Sequence, residues 1–135
     1  AAMELKDGTI VTGKNSPLMH AASALVLNAV KRLADIPDRI PLLSPSILES
    51  VGALKERIFG SRSVSLDLSE VLICLSINAA TNPMAQLALD KLPELQGAEV
   101  HITHIPTPGD DSGLRRFGIN LTTDPHFATK HLFVG

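Results

Sequence analysis

The chain contains no tryptophan, no tyrosine and only four phenylalanines among 135 residues. With so few rings there is no platform on which bases or sugars can stack, and Leu, Ile, Val, Ala and Met must fill the core. A single cysteine, Cys74, excludes an internal disulfide and any zinc site built on cysteine pairs. An excess of either charge is also missing, since 12 Lys+Arg against 14 Asp+Glu leave a formal charge of −2. Nucleic acids and anionic membranes are bound through concentrated Lys and Arg, so neither is an expected partner. No run of about 18 apolar residues is present, which removes a transmembrane helix. No stretch has the layout of a secretory signal, and with the lone thiol this points to a cytoplasmic setting.

What is present is a strongly apolar chain, 44% hydrophobic, punctuated by helix-starting residues. Met3 to Lys6 and Thr9 to Thr12 flank Asp7-Gly8 and predict a hairpin closed by a two-residue turn, with four β-branched residues in its second strand. Ser16-Pro17 predicts the opening of a long apolar helix running to Val30, because a serine hydroxyl caps free N–H groups and proline at the first position loses no bond. The same device recurs at Ser44-Pro45, ahead of Ile47, Leu48, Val51, Leu54 and Ile58 at helical spacing, and at Asn82-Pro83, ahead of Met84, Leu87, Ala88 and Leu92. Asp67 and Glu70 have capping-box spacing before Leu68, Val71, Leu72 and Leu75. Beyond Gly97 come a strand from Glu99 to Ile105, a short helix capped by Asp110 or Asp111 and ended by Gly118, and a strand from Ile119 to Thr122.

A strand, a helix and a second strand imply parallel pairing, whereas the hairpin is antiparallel, so the sheet is mixed. The expected architecture is one α/β domain over residues 1–135, a three-layer α/β/α sandwich with helices on both faces of that sheet. Ala1 and Ala2 lead straight into a strand, which is expected of a domain cut from a longer protein.

Several strings suggest chemistry. Gly8 to Asn15 has the spacing of a phosphate-binding P-loop, but the residues between its glycines are strand formers that cannot wrap a phosphate, and Asn15 stands where Ser or Thr would hold magnesium. Lys14, Asn15 and Ser16 at the mouth of the first helix are candidate contacts for an anionic group, because a helix start carries partial positive charge; the plainer alternative is capping. His20 and His104 are the candidate acid–base residues. His101 and His104 point to opposite faces of a strand, and His126 and His131 fall in a loop-like tail, so no metal site is expected. Cys74 reads as a packing residue. Nothing in the residues requires a cofactor.

The strings DGTIVTGKNSPLMHAASALVLNAVKRLA, LSEVLICLSINAATNPMAQLALDKLPEL and EVHITHIPTPGDDSGLRRFGINLTTDP span most of the chain from Asp7 to Pro125. Together they resemble the C-terminal domain of a bacterial family, domain of unknown function 1846. That resemblance implies a longer protein with other domains ahead of this one and no established activity. The order of elements also resembles the cytidine-deaminase fold. The chemistry of that fold needs zinc, cysteine ligands and a glutamate, whereas Ala22 occupies the glutamate position two residues after His20 and one cysteine cannot replace two. Zinc deamination is therefore not expected.

The expected function is that of an accessory domain making interdomain or subunit contacts, with the preceding domain and a second copy as partners, and forming one wall of a ligand pocket. The alternative is an enzyme whose active site is shared with the preceding domain and takes a phosphorylated or carboxylated ligand, with Lys14, Asn15 and Ser16 on the anion and His20 or His104 moving the proton.

Overall fold

A computed structural model describes residues 1–60 and 64–126. The hairpin forms between β1 (Ala2–Glu4) and β2 (Ile10–Thr12), antiparallel with Met3 opposite Val11. Its loop is longer than expected. Gly8 N donates to Leu5 O and Leu5 N donates to Thr9 O, each at 2.9 Å, and Gly8 sits at φ 87°. A turn followed by one left-handed residue gives a three-residue connection, and Asp7 Oδ1 steadies it by accepting from Thr9 N at 2.9 Å.

Helix α1 (Ala21–Leu33) begins four residues later than Ser16-Pro17 predicts. The intervening residues are extended because they pair with a distant segment. Leu66 N donates to Leu18 O and His20 N donates to Leu66 O, at 3.0 and 2.8 Å, in a parallel bridge between Met19 and Leu66. Local preference yields here to tertiary hydrogen bonds.

The other helix starts form as their sequences dictate. α2 (Pro45–Phe59) is capped by Ser44 and ends at Gly60 in a left-handed conformation. α3 (Leu68–Ala79) carries the full Asp67/Glu70 capping box, and α4 (Pro83–Leu89) is capped by Asn82. A single 3₁₀ turn, Leu92–Leu95, leads to β3 (Glu99–Ile102), which ends three residues before Ile105. α5 (Pro108–Arg116) is capped by Thr107 rather than by either aspartate, and β4 (Asn120–Thr123) follows Gly118 at φ 75°.

Among the described residues the sheet has the order β2-β1-β3-β4, with β3 and β4 parallel and the other pairs antiparallel. The mixed α/β class therefore holds. α1 packs on β1 and β2, α5 packs on β4, and α3 and α4 stack against α1. Met3, Val11, Val100 and Leu121 are cross-strand neighbours on the helix side. Glu4, Ile10, Thr12, Glu99, His101, Asn120 and Thr122 alternate with them and are exposed. Helices on both faces were expected; within the described residues they cover one face, and polar side chains solvate the other. The core that results joins Met3, Leu25, Val26, Leu66, Leu68, Leu75, Ile102 and Leu114, all fully buried, and the partly buried Phe117 packs against it.

Candidate functional site

The first turns of α1, α3 and α5 meet at one carboxylate. Asp110 lies in the first turn of α5 and is 3% exposed. Its Oδ1 accepts from Leu68 N, the first residue of α3, at 2.8 Å. Its Oδ2 lies 2.7 Å from Nδ1 of His20, the residue that precedes α1. Thr107 Oγ1 accepts from Asp110 N at 3.3 Å and fixes the turn that presents it. Helix N-termini favour negative charge, so this arrangement holds an anion where the fold has placed positive dipole ends together.

His20 is 6% exposed. With a carboxylate at Nδ1, the neutral ring carries its proton there and its lone pair on Nε2. That Nε2 is buried and finds no hydrogen-bond partner among the described residues. An orphaned polar atom inside a protein costs about 1–3 kcal/mol, so it marks a place where stability has been given up. A histidine oriented by a carboxylate on one nitrogen and open on the other has the form of a proton acceptor.

His104 is half-buried in the bend after β3. Burial lowers its pKa below the usual 6.5; His20 acts in the same sense and the Asp110 carboxylate opposes them. His20, Asp110 and His104 are thus near enough to act on one another electrostatically.

Lys14, Asn15 and Ser16 lie on the exposed approach to α1. Asn15 Oδ1 accepts from Ala21 N at 2.6 Å and caps α1, a task the His20 side chain does not perform. Ser16 Oγ accepts from Leu18 N and Met19 N, each at 3.2 Å, in a local turn. Both side-chain oxygens are therefore engaged by backbone N–H groups, and Lys14 is exposed.

The remaining histidines are placed differently. His101, on the exposed sheet face, has Nδ1 2.8 Å from Thr122 Oγ1 and Nε2 3.0 Å from Asp124 Oδ1, so both ring nitrogens are engaged. His126 is exposed, and His131 lies outside the described residues. Among the described residues no group of three His, Cys, Asp or Glu side chains is placed to hold a metal ion. Cys74 is a buried free thiol whose pKa burial raises, with the nearby Glu70 adding to the effect. A thiol held protonated this way is a packing residue.

Asp110 is the site residue that sequence reasoning missed. Its spacing suggested a helix cap, and nothing local links it to a histidine 90 positions away. A second buried charge was equally hidden: Lys55 Nζ donates to Ser65 O at 2.9 Å and to Glu70 Oε1 at 2.8 Å, joining α2 to the capping box of α3.

The fold and this site define a one-sided α/β domain with a buried histidine–aspartate pair at a junction of helix starts. The chain belongs to the family described as domain of unknown function DUF1846, C-terminal, whose sequence model matches residues 1–133. UPF0371 proteins of Clostridium botulinum (strain Alaska E43 / Type E3), Fusobacterium nucleatum subsp. nucleatum and Clostridioides difficile (strain 630) are each 48% identical to it over 132 residues. The match takes in 98% of this chain and 26% of each relative. The chain thus spans about a quarter of the length of the curated relatives it matches, and in them the matched region is one part of a larger protein.

Proposed function

We propose that this chain is an accessory domain that docks against the rest of a longer protein and contributes one wall of a ligand pocket. The observation that carries this reading is the apolar surface of the outer helices. Phe59 is 72% exposed at the end of α2, and Ile73 and Ile77, one turn apart on α3, are 60% and 71% exposed. Ile58 beside Phe59 at the end of α2, and Met84 and Leu87 on α4, are further exposed apolar side chains. Large apolar side chains left exposed one turn apart on a helix suit a contact surface, and relatives four times as long supply a partner for them. The reading includes contact with the preceding domain, a subunit contact with a second copy, and a cytoplasmic setting, for which the free buried Cys74 is the support.

A three-layer sandwich with cytidine-deaminase-like topology belongs to the same proposal. The antiparallel hairpin followed by a parallel pair supports it. The test is binding of the 135-residue chain to the separately expressed remainder of a full-length relative, with light scattering on each. Ile73→Lys with Ile77→Lys should abolish the complex and leave the circular dichroism unchanged. A monomeric chain with no affinity for the remainder sinks the reading.

The second reading, an enzyme whose active site is shared with the preceding domain, is favoured by the open Nε2 of His20. His20 would take the proton, Asp110 would orient it, and His104 would stand beside it as a second acid–base group. A phosphorylated or carboxylated ligand would lie toward Lys14, with the capping segment of Asn15 and Ser16 forming its floor. Long-range ¹H–¹⁵N NMR should find His20 protonated at Nδ1 and bare at Nε2, and the Nε2–H tautomer overturns this reading. So does a full-length protein whose affinity for inorganic phosphate and acetate is unchanged by Lys14→Ala.

A further inference from the structure

β2 is an edge strand of the sheet, and its hydrogen bonds to β1 fix which of its backbone groups are spent. Leu5 N donates to Thr9 O, Gly13 N to Ala1 O and Ala1 N to Gly13 O, all at 2.9 Å. Hydrogen-bonded pairs alternate along an antiparallel ladder, so Met3 and Val11 form the exchanging pair between these two. Ile10 and Thr12 therefore turn their N–H and C=O groups away from β1. Asn28 Nδ2 takes the Thr12 carbonyl at 2.8 Å. The N–H and C=O of Ile10 and the N–H of Thr12 face outward and find no partner among the described residues.

They face a groove of about 320 Å³, floored by β2 and walled by Asn28, Lys31, Arg32 and Asp38. Lys31 Nζ donates to the main-chain carbonyl of Asp38, at 3.0 Å, rather than to its carboxylate. Lys31 and Arg32 thus stand in a wall whose one acid is Asp38, with Arg32 also close enough to act on the Asp7 carboxylate beside the turn. β2 is short, three residues, but it carries no proline, no lysine and no break in its register with β1, features that would close an edge to further pairing. Its Ile10 side chain is 60% exposed.

We infer that the free edge of β2 is a strand-addition site, taking an extended, acid-bearing segment from the part of the longer protein outside this domain. The segment would exchange two main-chain hydrogen bonds with Ile10 and accept a third from Thr12 N. It would cover Ile10 and place a carboxylate toward Lys31 and Arg32. This mode of recognition reads backbone first and side chains second. The occupant is assigned to the longer protein because about three quarters of each relative lies outside the matched region.

Amide exchange tests this directly in the 135-residue chain and in a full-length protein carrying it. The Ile10 amide should exchange at least about tenfold more slowly in the full-length protein, while Val11, already paired with Met3, changes little. Ile10→Pro removes the outward N–H and leaves the β1 ladder whole, so it should abolish the added protection at Thr12 without altering the exchange of Met3. Equal Ile10 exchange in the two proteins overturns the proposal. Protection that appears in the chain alone and grows with its concentration assigns the edge to a second copy, and overturns the occupant proposed here. The wild-type comparison stands whether or not the proline variant folds. It reads only the sheet edge, so it can fail while docking through α2 to α4 holds.

Discussion

Asp110 ties distant parts of the fold together, because one buried carboxylate serves two helices and a ring. Asp110→Ala removes the acceptor from Leu68 N and from His20 Nδ1 together. The expected loss is about 3 kcal/mol, the usual result of stranding buried polar groups, read as a lower midpoint in urea. His104 gives the pH dependence. Its folded pKa lies below 6.5, chiefly through burial, so between those two values the unfolded chain binds more protons than the folded one. Stability is therefore full above pH 6.5, falls as pH drops through the window and levels off below the folded pKa. His104→Gln should flatten that limb of a melting-temperature profile between pH 7 and 5. His20 and His104 stand out in the sequence as histidines, and the sequence places His20 one turn inside the apolar helix that it in fact precedes. The aspartate that orients His20 was not legible, since its own neighbours, Thr107 and Pro108, explain it equally well as part of a helix start.

At the level of elements, capping chemistry is local and was read correctly where nothing distant competed. Ser44, Asp67 and Asn82 each cap the helix their sequence announces. Ser16-Pro17 has the same chemistry and starts no helix, because Leu18 and His20 hydrogen-bond to Leu66 instead. The apolar stripe of α2 was also only half informative. Leu48 is buried, while Ile47, Leu54 and Ile58 are exposed, since periodicity shows that a helix has an apolar face but not what will cover it. Packing between elements is tightest where β2 runs into α1. A Cβ on Gly13 would lie 2.4 Å from Leu25 N and 2.7 Å from Ala21 O. Both are backbone atoms that cannot turn aside, so the requirement is for space and not for an unusual φ. Gly13→Ala should cost about 3 kcal/mol, at the upper end for overpacking, measured by denaturant titration.

Over the whole molecule, stability and contact surface are carried by different side chains. Leu25→Ala, at a fully buried position, should cost about 3 kcal/mol through lost transfer energy and the cavity it leaves. Ile73→Lys with Ile77→Lys, on exposed positions of α3, should shift the unfolding free energy by no more than about 0.5 kcal/mol. Parallel urea titrations of the two variants check the contrast. If the α3 variant instead unfolds early, those isoleucines belong to the core of this chain and not to a contact surface. The sheet divides in the same way, with one apolar face under α1 and α5 and one face that no helix covers among the described residues. The edge of β2, the bare sheet face and the outer helices are the three surfaces through which a larger protein could hold this domain.

The sequence by itself determined the kind of molecule: a mixed α/β domain with a mainly aliphatic core and helices begun by Ser, Asp and Asn followed by proline or a capping glutamate. Each of these rests on residues within a few positions of one another, where backbone geometry and side-chain reach leave few alternatives. Only the tertiary structure decided that α1 starts at Ala21, that the helices lie on one face of the sheet, and that His20 is turned by Asp110. Those outcomes depend on hydrogen bonds and packing between segments tens of residues apart. Such contacts form only when the whole chain has closed around its core, and no local pattern can record them.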